Sequence, residues 1–181
     1  MNEIAIAFRT LVALVFLTAA WGKLNNRLVF QGVVANYRLL PDPLVAPFAA
    51  ILPPVELLVG LALPSGILSP WPELAAAALL ALFAAAMAIN IRRGRRDIDC
   101  GCFQSALKQT LKWTLVARNC GLVLALGVAV SAPAGLSPAW GLAEGVLAGA
   151  VLFVLLQSLN ILWSVVPAWR RPHAHLGGAG K

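Results

Sequence analysis

The sequence predicts an all-α fold: a polytopic membrane helix bundle of about five transmembrane helices with one interfacial helix. Three observations predict it. Of the 181 residues, 60% are hydrophobic and 12% are charged, whereas a soluble domain is about half apolar and about a quarter charged. Mean hydropathy is +0.83. The apolar residues also gather into five runs, each near the roughly 20 residues a helix needs to cross the hydrocarbon.

The first run extends from Ile4 to Trp21 and carries Arg9. Glu3 comes early and no basic segment precedes it, so this run is expected to persist as a helix rather than act as a secretory signal. From Lys23 to Leu40 the apolar residues Leu28, Phe30, Val33, Val34, Tyr37 and Leu40 recur near the helical period among basic residues. That pattern suits a helix lying in the membrane interface. Pro41 and Pro43 are expected to end it, because the residue before a proline avoids helical geometry. The second span runs from Leu44 to Leu63 with Pro53, Pro54 and Glu56, and the third from Glu73 to Ile91, almost all Ala and Leu. The fourth runs from Trp113 to Val130 with Arg118, Asn119 and Cys120, and the fifth from Trp140 to Pro167 with Glu144 and Asn160.

The net charge of +7 does not indicate nucleic-acid binding. Its cations sit in short blocks between apolar runs, the pattern that sets membrane orientation. Apart from Arg9 and Arg118, twelve Lys and Arg residues remain. Lys23, Arg27 and Arg38 lie in the first connection. Arg92, Arg93, Arg95, Arg96, Lys108 and Lys112 lie in the third, and Arg170, Arg171 and Lys181 follow the last span. The second and fourth connections carry none. The N-terminus is therefore expected outside, with the third connection and the C-terminus in the cytoplasm.

That third connection holds the segment with the most chemistry, Asp99-Cys100-Gly101-Cys102-Phe103. Two thiols around one glycine can close a disulfide, exchange with another thiol, or hold a soft metal. Gly101 tolerates the tight backbone such a bridge needs. Nearby arginines favour the thiolate, while Asp97 and Asp99 oppose it. The spacing leaves redox chemistry and soft-metal binding both open. Cys120 is a candidate relay thiol or an ordinary small buried residue.

Arg9, Glu56, Arg118 and Glu144 form a candidate intramembrane charge cluster, since ionisable groups in lipid face the bundle interior and pair. Counting from helix ends puts Arg9, Glu56 and Glu144 in one outer layer, with Arg9 expected to pair with Glu56 and Glu144 as competitor. Arg118 falls nearer the inner face. No phosphate loop, HExxH motif or Ser/His/Asp set is present. Both histidines, His173 and His175, lie in the Gly-rich tail, so a haem or other resident cofactor is not expected, and a metal enters only through the alternative soft-metal reading of the thiol pair.

These residues together resemble the methylamine utilisation protein MauE family, within the wider MauE/DoxX-like group. The resemblance is carried by Arg9 and Trp21-Gly22-Lys23-Leu24, by Asn36-Tyr37-Arg38-Leu39-Leu40-Pro41, and by Leu52-Pro53-Pro54-Val55-Glu56-Leu57. It continues through Arg95-Arg96-Asp97-Ile98-Asp99-Cys100-Gly101-Cys102-Phe103, Leu107-Lys108-Gln109, Trp113 and Arg118-Asn119. Broader relatives continue Cys-Gly-Cys-Phe-Gly, where this chain has Gln104. The resemblance covers a four-helix family core at about 4–130. With the extra apolar helix at about 140–167 the chain is expected to form one membrane domain over 1–169, and the short Gly-rich tail at 170–181 is expected to be disordered.

The resemblance further implies residence in a bacterial inner membrane and a role in maturing methylamine dehydrogenase. That role is to assist processing, transport or disulfide formation of the enzyme's periplasmic small (beta) subunit alongside a thioredoxin-like partner. Cys100 and Cys102 would then be the catalytic thiols of a thiol–disulfide oxidoreductase. A soft-metal or small-solute carrier and a non-catalytic scaffold are the alternatives.

Overall fold

The computed structural model describes residues 2–66, 68–96, 98, 111–131 and 139–169. Cys100, Cys102, Lys108 and the tail from residue 170 lie outside them. The described chain is helical throughout: α1 (Asn2–Asn25), α2 (Arg27–Tyr37), α3 (Asp42–Ala62), a 3₁₀ turn (Leu63–Ser65), α4 (Trp71–Arg92), α5 (Trp113–Ser131) and α6 (Ala139–Trp169). Five of the helices are long and apolar enough to cross a membrane. The fold is a polytopic membrane helix bundle.

Helix α1 is the hub. It packs against α3, α5 and α6, while α4 packs on α5 and more lightly on α3. Leu11, Val12, Val15 and Phe16 of α1 meet Ala76 and Leu80 of α4 and Leu122 and Leu126 of α5 in the main core. Lipid tails are as apolar as these side chains, so close packing rather than expulsion from water holds the helices together. Small residues permit the closest approaches. A Cβ on Gly60 of α3 would sit 3.1 Å from Leu17 and 3.3 Å from the Ala13 carbonyl.

The contact between α6 and α1 is tighter still. Gly141, Gly145 and Gly149 recur every fourth residue and all are buried, the small-residue stripe that lets membrane helices approach closely. A Cβ on Gly145 would lie 2.7 Å from Ile6, and one on Gly149 would lie 2.5 Å from the Ala7 carbonyl. Both helices advance four residues between these contacts, so α6 runs parallel to α1. The rest of α6 faces outward: Leu147, Val151, Val154 and Leu159 are all exposed.

Helix α2 has eleven residues, too few to span, and occupies only the middle of the Lys23–Leu40 stretch expected to form one helix, because Lys23 to Asn25 belong to α1. It buries Phe30 against Ala49 and Leu52 of α3 and exposes Leu28 and Val29. Its ending corrects the expectation. Arg38 closes α2 in left-handed geometry (φ 48°) and donates its N–H to the Ala35 carbonyl, while Pro41 is the N-cap of α3. The prolines start the next helix instead of stopping this one, as suits a residue with fixed φ and no N–H to lose.

Helix α4 ends in a Schellman motif. Gly94 (φ 75°) donates to the Ile91 carbonyl and Arg95 to the Asn90 carbonyl. The turn aims the chain into the segment that contains the thiol pair. Leu111 donates back to the Arg96 carbonyl at 3.0 Å, so the two flanks of that segment meet. Ile98, Leu111 and Leu115 pack with Met87, Ile91, Tyr37 and Phe83.

Candidate functional site

Two ion pairs mark the two ends of α1, the one at Arg9 partly buried and the one at Lys23 fully buried. Arg9 and Lys23 are fourteen residues apart in the sequence, about 21 Å along a helix. They take different acids from those expected. Arg9 Nε lies 2.7 Å from Glu73 Oε1, and Lys23 Nζ pairs with Glu56 Oε1. Arg9 therefore does not pair with Glu56. Glu144, the expected competitor, is exposed on α6.

The register of α3 against α1 is the reason. Gly60 lies beside Ala13 and Leu17, so α3 ends well short of the start of α1. The chain then turns over the end of α3 through Gly66, whose positive φ of 61° lets it lie under the guanidinium; a Cβ there would be 3.1 Å from Arg9 Nη1. Arg9 meets this turn and the first turn of α4. Its Nη2 donates to Ser69 Oγ at 3.1 Å and to the Ala129 carbonyl of α5 at 3.4 Å. One guanidinium thus ties α1, α4, α5 and the α3–α4 connection.

The second pair lies at the opposite end. Lys23 is 4% exposed and Glu56 is 0% exposed. Lys23 had been counted among the surface cations; it belongs to α1 and is removed from that count. Its ammonium lies 5.0 Å from the Phe30 ring centroid and 4.9 Å from that of Phe83, within cation–π range. Lys23, Glu56, Arg118 and Asn119 line one cavity of about 20 Å³, room for about one water molecule. Arg118 Nη2 donates to Asn119 Oδ1 at 3.4 Å. Arg118 thus joins Glu56 at the Lys23 end of α1, away from Arg9.

On the other side of Lys23 is a larger pocket of about 160 Å³ between α2, α3 and α4. Its walls are almost wholly apolar and aromatic, and Lys23 is the charged residue among its described lining.

The thiol pair lies outside the described residues, but its attachment is fixed. Arg96 and Leu111 are hydrogen-bonded to each other, and Cys100 is four residues beyond Arg96, within about 14 Å of it by chain reach. Arg92, Arg93, Arg95, Arg96 and Lys112 crowd the same end of the bundle, as do Arg27 and Arg38. Cys120 is a free, exposed thiol on α5, two residues from Arg118 and turned away from it. Among the described residues, no three His, Cys, Asp or Glu side chains gather as metal ligands.

Glu73, Lys23 and Phe83 were not picked out from the sequence. An acid in the first turn of a helix is already accounted for by the helix dipole, and a lysine two residues from a helix end reads as a flanking charge. The usable signal was that two basic residues on α1 demand two acids.

Comparison with known proteins supports the same grouping. A family model described as Methylamine utilisation protein MauE matches residues 1–134. Curated proteins named Methylamine utilization protein MauE are similar over most of their length. The one from Paracoccus denitrificans is 44% identical over 161 residues, covering 86% of this chain and 85% of its own. The one from Paracoccus versutus is 46% identical over 158 residues, with the same coverage of 86% and 85%. The one from Methylorubrum extorquens is 43% identical over 160 residues, covering 85% and 84%. No solved structure matches. With these matches spanning α1 to α5 and both ion pairs, the chain belongs to the methylamine utilisation protein MauE family.

Proposed function

We propose that this protein serves methylamine utilisation as a membrane accessory in the maturation of methylamine dehydrogenase, acting on its small (beta) subunit by thiol–disulfide exchange at Cys100 and Cys102. The observation that supports this most is a Cys-Gly-Cys pair carried between hydrogen-bonded flanks at the arginine-rich end of the bundle. Local positive charge favours the thiolate, the form that attacks a disulfide. A thioredoxin-like protein is the partner with which the pair exchanges. The membrane is the bacterial inner membrane, with the N-terminus outside and the arginine-rich end in the cytoplasm.

On this orientation the pair and a periplasmic client lie on opposite faces. Exchange at the pair reaches the client only if reducing equivalents cross the bilayer. Cys120 is a poor stepping stone, because its side chain is exposed on the outer surface of α5.

The test is thiol trapping in cells combined with client maturation. Cys100→Ser or Cys102→Ser should abolish maturation of the subunit while the membrane protein still accumulates. Cys120→Ser should leave maturation near normal. A mass-tagging maleimide should show the pair partly oxidised, with the ratio shifting when the thioredoxin-like partner is deleted. A permanently reduced pair together with an active double Cys→Ser variant would leave a scaffold. Stoichiometric copurification of a soft metal would leave a carrier.

A further inference from the structure

We propose that the 160 Å³ pocket between α2, α3 and α4 binds the ring of a lipid-soluble quinone, with a ring carbonyl accepting a hydrogen bond from Lys23 Nζ. The argument begins with what the pocket admits. Leu39 and Leu82 line it and are exposed, so it opens on the surface that faces lipid. Phe30, Phe48 and Phe83 also line it, and such ring walls favour a flat partner stacked against them. The occupant therefore comes from the bilayer and presents a planar face.

Charge then selects its polar end. Lys23 is the charged residue in the lining, but Glu56 already neutralises it. A fatty-acid carboxylate or lipid phosphate would have to displace Glu56 from the ammonium or sit as a second anion beside that carboxylate in an apolar wall, and like charges held close in a low dielectric are strongly unfavourable. A neutral acceptor meets no such cost. A lysine ammonium has three donors and no acceptor. Glu56 Oε1 accepts one of them, and the ring faces of Phe30 and Phe83 sit about 5 Å away. A carbonyl oxygen entering from the pocket would take a second donor without disturbing the pair. Flat, neutral, lipid-soluble and bearing carbonyl acceptors describes a quinone.

Position gives the site a use. Met87, Tyr37 and Phe83 line the pocket and also pack with Ile98 and Leu111, the flanks of the thiol segment. If the pair undergoes thiol–disulfide exchange, as proposed above, a bound quinone is its electron acceptor. Two S–H bonds break and one S–S bond forms, and the two electrons and two protons pass to the quinone, giving the hydroquinone. Binding itself does not rest on that reading, and a carrier dissolved in the bilayer serves a thiol pair at either face.

The experiment uses the full chain in lipid nanodiscs with decylubiquinone as probe. Saturable binding is expected, and palmitate should not displace it. Ala86→Phe fills the pocket from α4 and should weaken binding at least about tenfold. Val34→Trp fills it from α2 and provides a second reading should the first variant fold poorly. Leu124→Phe, on the exposed face of α5, should change nothing. A Cys100→Ser/Cys102→Ser double variant should still bind.

With the thiols reduced and oxygen excluded, one hydroquinone should form per disulfide closed. Absence of saturable binding, or binding unaffected by both filling variants, overturns the site. Displacement by palmitate overturns the neutral-carbonyl argument. Binding without hydroquinone formation overturns the acceptor role and leaves the exchange reading to its own thiol-trapping test.

Discussion

Removing the Glu73 carboxylate would leave the Arg9 guanidinium among apolar side chains, with the Ser69 hydroxyl and the Ala129 carbonyl as its remaining described acceptors. Breaking a buried pair from one side costs about 3–5 kcal/mol, so Glu73→Ala should accumulate poorly. Removing Arg9 as well should recover part of the loss. Glu56→Ala should behave the same way against Lys23. The crossed combination separates this arrangement from the one the sequence suggested. In double-mutant cycles read by unfolding in detergent, Arg9 should couple to Glu73 and Lys23 to Glu56, each by about 1–3 kcal/mol, while Arg9 and Glu56 should be additive within about 0.5 kcal/mol. Coupling of Arg9 to Glu56 would overturn the register described here. That Arg9 and Glu56 are buried was legible in the sequence, because an ionisable group inside an apolar run has nowhere else to go. Their partners were not legible. Depth counted from helix ends assumes that the ends are level, and α3 stops beside Ala13 rather than beside the start of α1.

Among the elements, the spans were readable because crossing the hydrocarbon fixes a length that composition reveals. The packing of α6 was not read, although Gly141, Gly145 and Gly149 stand four residues apart in the sequence. A glycine stripe gives an approach surface but not the helix that uses it. Ala7 and Thr10 become its partners only through the fold. Gly149→Leu would drive a side chain into the Ala7 carbonyl, where a Cβ alone is 2.5 Å away. Backbone cannot yield as a side-chain tip can, so α6 should separate from α1, with a loss of about 1–3 kcal/mol or more. Gly127→Leu, on α5 with nothing within 4 Å, is the matched control and should be tolerated. A lower unfolding midpoint for Gly149→Leu alone is the expected result. Equal behaviour of the two variants would mean that α6 is not held by that stripe.

For the molecule as a whole, charge asymmetry sets the expected orientation. With Lys23 buried, the described cations at the thiol end are Arg27, Arg38, Arg92, Arg93, Arg95, Arg96 and Lys112, and the α3–α4 connection has none. Moving one lysine inside does not alter the direction of that imbalance. A reporter fused after Ser69 should behave as periplasmic and one after Gly94 as cytoplasmic. The reverse result would place the thiol pair on the side of a periplasmic client and remove the need for transfer across the bilayer.

The two ion pairs also constrain how the chain is made. Helix α1 is synthesised before α3 and α4, yet it carries Arg9 and Lys23, and a cation within a span costs up to about 2.5–3.5 kcal/mol on insertion scales, the full figure applying at its centre. Glu56 arrives with α3 and Glu73 only with the first turn of α4. Until then α1 has no buried acid to answer Arg9 and must be sheltered by the insertion machinery or remain near the headgroups. A nascent chain arrested after Ser65 should therefore hold α1 loosely, extractable by alkaline carbonate. One arrested long enough to release α4 should resist extraction. In Glu73→Ala that second stage should never be reached, making the first turn of α4 the point at which the newborn chain commits to the membrane.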